Sequence, residues 1–234
     1  MSTARTAVLV SGGGTNLQAL IDAKAAGKLP HVEFVSVIAS RPDAYALKRA
    51  EAAGIPGHVA QRKGRTQEAF EQEILRLLEK DGVQLIILAG FMSILSEAFV
   101  KRYPRRILNV HPALLPAFGG KGYYGLHVHE AALARGVKVT GATVHYVNEI
   151  ADGGEIILQK AVDVLPGDTP QILQRRVMEQ AEWIILPQAA EIAAQSILLE
   201  QDIKEGLEDV QSGNTMPFSE ALADIRAKRD KEVN

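Results

Sequence analysis

The sequence predicts an α/β protein with a mostly parallel, twisted sheet, helices on both of its faces, and an antiparallel addition toward the C-terminal part. Three observations predict it. Short, nearly continuous apolar runs alternate with longer stretches of helical spacing, the helical stretches end on glycine, and after residue 137 the alternation gives way to two strand-like runs joined by a turn. The first pattern is that of strands buried on both faces and the last that of a hairpin.

The elements follow in order. TAVLVS (6–11) is the first strand, and SGGG leads into a helix over TNLQALIDAKAAG. EFVSVIAS (33–40) is the second strand, followed by helical AYALKRAEAAG and RTQEAFEQEILRLLEKDG. VQLIILAG (83–90) and RILNVH (106–111) complete the βαβ rhythm. Such a rhythm gives a Rossmann-like parallel sheet with ligands beyond the carboxyl ends of its strands. KVTGATVHYVNE and GEIILQKAVDV, on either side of IADGG, supply the antiparallel strands. A long helix over 168–200 contains Pro187, which is expected to kink or divide it. From about residue 200 the chain is charged and broken by Gly, Asn and Pro. The expected organisation is therefore one domain over 1–199 and a helical appendage over 200–234, with Phe218, Leu222 and Ile225 forming the apolar stripe of a last helix.

Composition narrows the function. With 47% apolar residues, 234 residues can build a real core, and a net charge of −2 without a basic stripe argues against nucleic acid or a membrane surface as partner. Small-molecule substrates are expected, for a monomer or homodimer. The chain has no cysteine, which excludes thiolate metal sites and agrees with a reducing, cytoplasmic setting. No run approaches the roughly 20 apolar residues of a membrane span, and the N-terminal run is short for a signal segment.

Two stretches sit where ligands are expected. SGGGTNL (11–17) places Gly14, Thr15 and Asn16 at a strand-to-helix junction, where glycines allow close approach and free N–H groups attract an anion. It lacks both the Walker A lysine and the third glycine of the dinucleotide pattern. The same loop also reads as a tight turn with Thr15 or Asn16 as N-cap. LNVHP (108–112) ends a strand with Asn109 and His111 on one face, roughly 7 Å apart. Asp152, in the ADGG turn, is a turn former unless the fold brings it to His111. There it would raise the imidazole pKa and yield a pair able to move protons near neutral pH. His127 and His129 do not share a helix face, His145 reads as a core or cross-strand residue, and no catalytic metal is expected.

Taken in order, SGGGTNLQALID, LAGFMSILS (88–96), LNVHPALLPAF, GATVHYVNEIADGGEIILQ and AEWIILP resemble the phosphoribosylglycinamide formyltransferase family, over roughly residues 6 to 195. The resemblance implies a catalytic domain over 1–199 that transfers formyl from 10-formyltetrahydrofolate, a co-substrate, to the amine of glycinamide ribonucleotide. It implies that Asn109 and a protonated His111 stabilise the oxyanion and that Asp152 pairs with the imidazole and helps remove the amine proton. It places Gly14, Thr15 and Asn16 on the phosphate and Glu182 on the ribose hydroxyls. Met92, Ile94, Leu95, Asn109 and Ala151 would form the folate pocket. Ser93 stands where the family often has arginine. The competing readings are a formyltetrahydrofolate deformylase-like hydrolase and a non-catalytic nucleotide- or folate-binding module.

Overall fold

The computed structural model describes residues 2–215 and Glu220. One seven-stranded sheet organises the chain in the order β3-β2-β1-β4-β5-β6-β7. The strands are β1 (Ala4–Val10), β2 (Val32–Ala39), β3 (Gly57–Val59), β4 (Leu85–Leu88), β5 (Ile107–His111), β6 (Val139–Tyr146) and β7 (Ile156–Asp163). β3 through β5 run parallel across the sheet, and β6 and β7 join antiparallel, as expected. The chain winds outward from β1 to β3 and then returns to place β4 on the other side of β1. The loops after β1 and β4 therefore meet at the topological switch point, where a crevice opens. The Met92 N–H donates to Ser11 Oγ across it, at 2.9 Å.

The helices are α1 (Thr15–Ala25), α2 (Ala46–Ala52), α3 (Gln67–Lys80), α4 (Glu97–Lys101), α5 (Leu126–Arg135), α6 (Pro170–Val177) and α7 (Trp183–Ser212). Leu85, Ile86 and Ile87 are completely buried, which is why their run does not alternate. α3 buries Phe70, Ile74, Leu77 and Leu78 at helical spacing, in one cluster with Leu9, Ile86, Phe99 and Ile107. Each such side chain contributes about 1.5–3 kcal/mol.

Four details differ from the sequence reading. Neither Thr15 nor Asn16 caps α1. Gly14 does, at φ 73°, and makes no side-chain bond. A Cβ there would stand 2.7 Å from Ala46 Cβ, so α2 is packed against the loop too closely for any other residue. The helical interruption lies upstream of Pro187, as a π-helical turn over Met178–Glu182. Pro187 is the fifth residue of α7, where its missing N–H forfeits a single bond to the first-turn carbonyl of Trp183. The edge strand β3 and the short α4 were not anticipated, because three and five residues carry too little periodicity.

Two compact units are delimited, Met1–Ser196 and Ile197–Asn234. In the second, Leu199, Ile203, Leu207 and Val210 are exposed. Phe218, Leu222 and Ile225 lie outside the described residues. Every matched motif precedes the second unit, so truncation after Glu200 is expected to leave the turnover number within about threefold, well under the tenfold of a 1.4 kcal/mol barrier change. Steady-state kinetics well below the melting temperature check this; a folded but inactive truncate would place the tail in the active site.

Candidate active site

β5 delivers Asn109 and His111 to the same face, and the antiparallel register of β6 sets His145 opposite Asn109 and Thr143 opposite His111. The chain then turns through 147–155 and returns as β7. Asp152 occupies the left-handed region at φ 55°. Gly154 lies so close to β6 that a Cβ would fall 1.7 Å from the Tyr146 carbonyl oxygen. The ADGG sequence is thus needed to press the turn onto the strand, and the turn brings Asp152 to the end of β5.

The result is a compact polar cluster. Asp152 Oδ2 lies 3.5 Å from His111 Nδ1 and accepts the Gly120 N–H at 2.8 Å. Asp152 Oδ1 lies 3.5 Å from Asn109 Nδ2 and 3.6 Å from His145 Nε2. The Asn109 amide also stands 3.2 Å from His145 Nε2. His145 Nδ1 faces the Tyr146 carbonyl at 2.9 Å and donates to it. His111 Nε2 meets the Phe118 carbonyl at 2.7 Å. His145 is therefore cross-strand, as expected, and also a member of the site.

Burial alone would raise the Asp152 carboxyl, but His145, His111 and the Gly120 N–H outweigh it and hold the pKa below its usual value. Asp152 is ionised at neutral pH. His111 departs from the sequence expectation. Burial lowers its pKa, and although Asp152 and the Phe118 carbonyl pull upward, the net shift is down, with His145 adding to the fall. The imidazole is neutral at pH 7, held between two acceptors that would welcome a second proton.

Around this centre lie the other predicted residues. Thr15 and Asn16 are the first two residues of α1, with the unpaired N–H groups of a helix start. Asn16 Nδ2 donates to Glu182 Oε2 at 2.7 Å, which places Glu182 beside the glycine loop. Arg49, on α2, donates from Nε to the Gly13 carbonyl and from Nη1 to Gln18, both at 2.9 Å. Beyond β4, Met92 and Ile94 are exposed and Leu95 is half-buried. Their loop is pinned from α3: Glu71 accepts from Ser96 N–H at 2.6 Å and from its hydroxyl at 2.5 Å, and Gln67 donates to the Ile94 carbonyl at 2.9 Å. Ala151 is exposed on the turn that carries Asp152. The structure thus joins Asn109, His111 and Asp152 in one cluster and Asn16 with Glu182 in another. Among the described residues no hydrogen bond links the two, and none links Met92, Ile94 or Leu95 to Asp152.

A sequence model of the formyl transferase family matches residues 4–190. The chain belongs to this family. Among its relatives, the phosphoribosylglycinamide formyltransferase of Haemophilus influenzae is 42% identical over 184 residues, covering 78% of this chain and 84% of that protein. A trifunctional purine biosynthetic protein of Bos taurus is 45% identical over 193 residues, 82% of this chain. The chain spans only 13% to 18% of the length of such trifunctional relatives. The crystal structure of glycinamide ribonucleotide transformylase 1 from Symbiobacterium toebii superimposes with a TM-score of 0.77 at 41% identity, over 83% of this chain and 89% of that one.

Sequence reasoning did not anticipate that His145 contacts the Asn109 and Asp152 side chains, or that Arg49, Gln67 and Glu71 hold the loops that carry the candidate residues. The signal for His145 was the β5–β6 register, which the long connection over 112–138, with α5 inside it, conceals. For Glu71 it was a carboxylate on the apolar face of α3, an anomaly visible in the sequence as F-E-x-x-I-L.

Proposed function

We propose that this formyl transferase moves the formyl group of 10-formyltetrahydrofolate to the amine of glycinamide ribonucleotide, giving formylglycinamide ribonucleotide and tetrahydrofolate in purine synthesis. The observation that carries the reading is the Asp152 carboxylate within 3.5 Å of both His111 and Asn109, at the end of β5 in a formyl transferase sheet. The names of the bacterial relatives support the ribonucleotide as acceptor and the formyl group as cargo. The reading carries small-molecule substrates, no resident metal, a cytoplasmic setting and a monomer or homodimer.

In the proposed reaction the amine attacks the formyl carbon and the carbonyl π electrons move to oxygen. Asn109 donates one N–H to that oxyanion. Its contact with Asp152, at 3.5 Å, is the weaker of its two and the one to be diverted. A preorganised donor of this kind contributes about 3–4 kcal/mol. His111 has Nδ1 toward Asp152, so Nε2 is the nitrogen left for the oxyanion, and the Phe118 carbonyl that now holds it must give way. Phe118 is at φ 52°, in the left-handed region that disfavours a bulky residue, so the loop loses little by moving. Ionised Asp152 takes the proton of the amine, directly or through water. Collapse breaks the bond from carbon to N10, and N10 takes up the proton as tetrahydrofolate leaves. The unpaired N–H groups of Thr15 and Asn16 hold the phosphate, Glu182 accepts from the ribose hydroxyls, and Met92, Ile94, Leu95 and Ala151 border the pterin.

Assaying tetrahydrofolate release with and without glycinamide ribonucleotide tests the reading. Release is expected only when the amine is present; release to water alone would make the protein a deformylase. A second expected result concerns Ser93. Ser93→Arg should shift KM for the folate by up to about fivefold, the scale of a part-exposed charge interaction near 1 kcal/mol, and leave KM for the ribonucleotide nearly fixed. Equal shifts in both would remove position 93 from the folate side.

A further inference from the structure

Asn16 and Glu182 are 166 positions apart in sequence, yet they meet in a single 2.7 Å bond between two buried groups. Only 8% of Asn16 and 6% of Glu182 is exposed. The bond takes the donor end of Asn16, and its carbonyl oxygen Oδ1 is buried with no partner among the described residues. A carboxamide that keeps its acceptor end unsatisfied in order to present its donor end to a carboxylate is fixed by that carboxylate. The acceptor end could not bind a phosphate, since both are acceptors. Glu182 in turn sits in the π-helical turn, and Asn16 is its hydrogen-bond partner among the described residues, on Oε2. Among the described residues Oε1 has no hydrogen-bond partner.

We propose that Asn16 is a positioning residue for the ribose subsite: its side chain orients Glu182 and keeps it an acceptor, while only its backbone N–H serves the phosphate. This rests on the reading of Glu182 as the acceptor for the ribose hydroxyls. Burial pushes the Glu182 carboxyl up to about 7, and the Asn16 donor is what opposes that rise. Without it the carboxyl holds a proton more readily and has a free torsion, so it no longer receives a ribose hydroxyl in one orientation. The bond also ties the glycine loop to the turn before α7, fixing the distance between the phosphate and ribose groups of one ligand.

The test compares KM for glycinamide ribonucleotide with KM for its 2′-deoxyribose analogue, in the wild-type enzyme and in N16A, N16D and E182Q. The isosteric N16D removes the amide donor with no loss of volume and covers the case in which N16A folds poorly, which thermal melts identify. Because its carboxyl also repels the phosphate of both substrates, N16D is read only through the ratio of the two KM values. Wild-type enzyme should prefer the ribose substrate by about tenfold, the effect of one charge-assisted hydrogen bond. Loss of the Asn16 donor should raise KM for the ribose substrate by about tenfold and that for the deoxy analogue much less, so that the preference collapses, with the change on KM rather than kcat. If the variants instead weaken both substrates equally and the preference survives, the Asn16 side chain holds the phosphate and the proposal is wrong. E182Q separates the two levels of the argument. A preference lost in E182Q but kept in N16D overturns the role of Asn16 alone, whereas a preference kept in E182Q overturns the ribose reading of Glu182 itself.

Discussion

Replacing Asp152 with Asn, or His111 with Ala, is expected to lower the turnover number by about 10²-fold or more while fold and ribonucleotide binding survive. Asp152→Asn is the sharper of the two. The amide has the shape of the carboxylate and can still accept the Gly120 N–H, so the turn keeps its anchor. It cannot take a proton from the amine, and it removes the charge that pulls the His111 pKa upward against burial. The imidazole then becomes still harder to protonate, and it loses the carboxylate that favours it as an Nε2–H donor to the oxyanion. His111→Ala removes the second donor and leaves a hole at a buried position, so its melting temperature should also fall. Single-turnover and steady-state rates, with ribonucleotide affinity measured by calorimetry, separate these effects. Near-wild-type turnover in either variant would take that residue out of the mechanism.

The second large effect is on stability in acid. His129, on α5, is completely buried, and neither of its ring nitrogens has a partner among the described residues. Burial, with the nearby His111 adding to it, pushes its pKa down to about 4 from the ordinary 6.5. Because the folded value is the lower one, the unfolded chain binds the proton first as pH falls. Stability from this residue is complete above pH 6.5 and drains away between 6.5 and 4. The full loss is roughly 3 kcal/mol, and about 2 kcal/mol of it should be gone by pH 5. His111 titrates in the same direction. Replacing His129 with Leu removes both the unsatisfied nitrogens and the proton linkage. Urea unfolding at pH 7.5 and pH 5 should show the variant losing about 2 kcal/mol less than the wild type. Equal losses would mean that His129 is not the buried base that destabilises the fold in acid.

The sheet was legible because its strands are local. Each apolar run of β1, β2, β4 and β5 carries its own assignment, and the alternation with helices points to their parallel orientation, though not to their order in the sheet. The π-helical turn was not legible, because Met178–Glu182 has ordinary helical composition and only the wider turn distinguishes it. At the site, Asn109 and His111 could be placed on one face from spacing alone. Asp152 could not be brought to them without resemblance, since the contact depends on how tightly Gly153 packs on Ile150 within the turn and Gly154 presses the turn against β6. The direction of the His111 shift was misjudged for a related reason. A neighbouring carboxylate can be anticipated from sequence, but the depth of burial that outweighs it is a property of the packed molecule.

The π-helical turn before α7 sets a rule on chain length in this segment that substitution does not reveal. In an α-helix each residue advances the side chains by about 100° around the axis, so one residue more or fewer re-aims everything beyond it. Leu173 and Val177 of α6, Ala181 and Glu182 of the turn, and Ile185, Leu186, Ala189 and Ala190 of α7 are all buried, and the wider turn keeps these faces in phase with one another. Deleting one residue between Met178 and Ala181 would tighten the coil and rotate α6 against α7 by about that angle, swinging either the apolar face of α6 or Glu182 away from its present surroundings. Natural variants of this protein should therefore exchange residues freely at the exposed Glu179 and Gln180 while holding the count between Leu173 and Glu182 constant, so that here it is the number of links in the chain that selection guards.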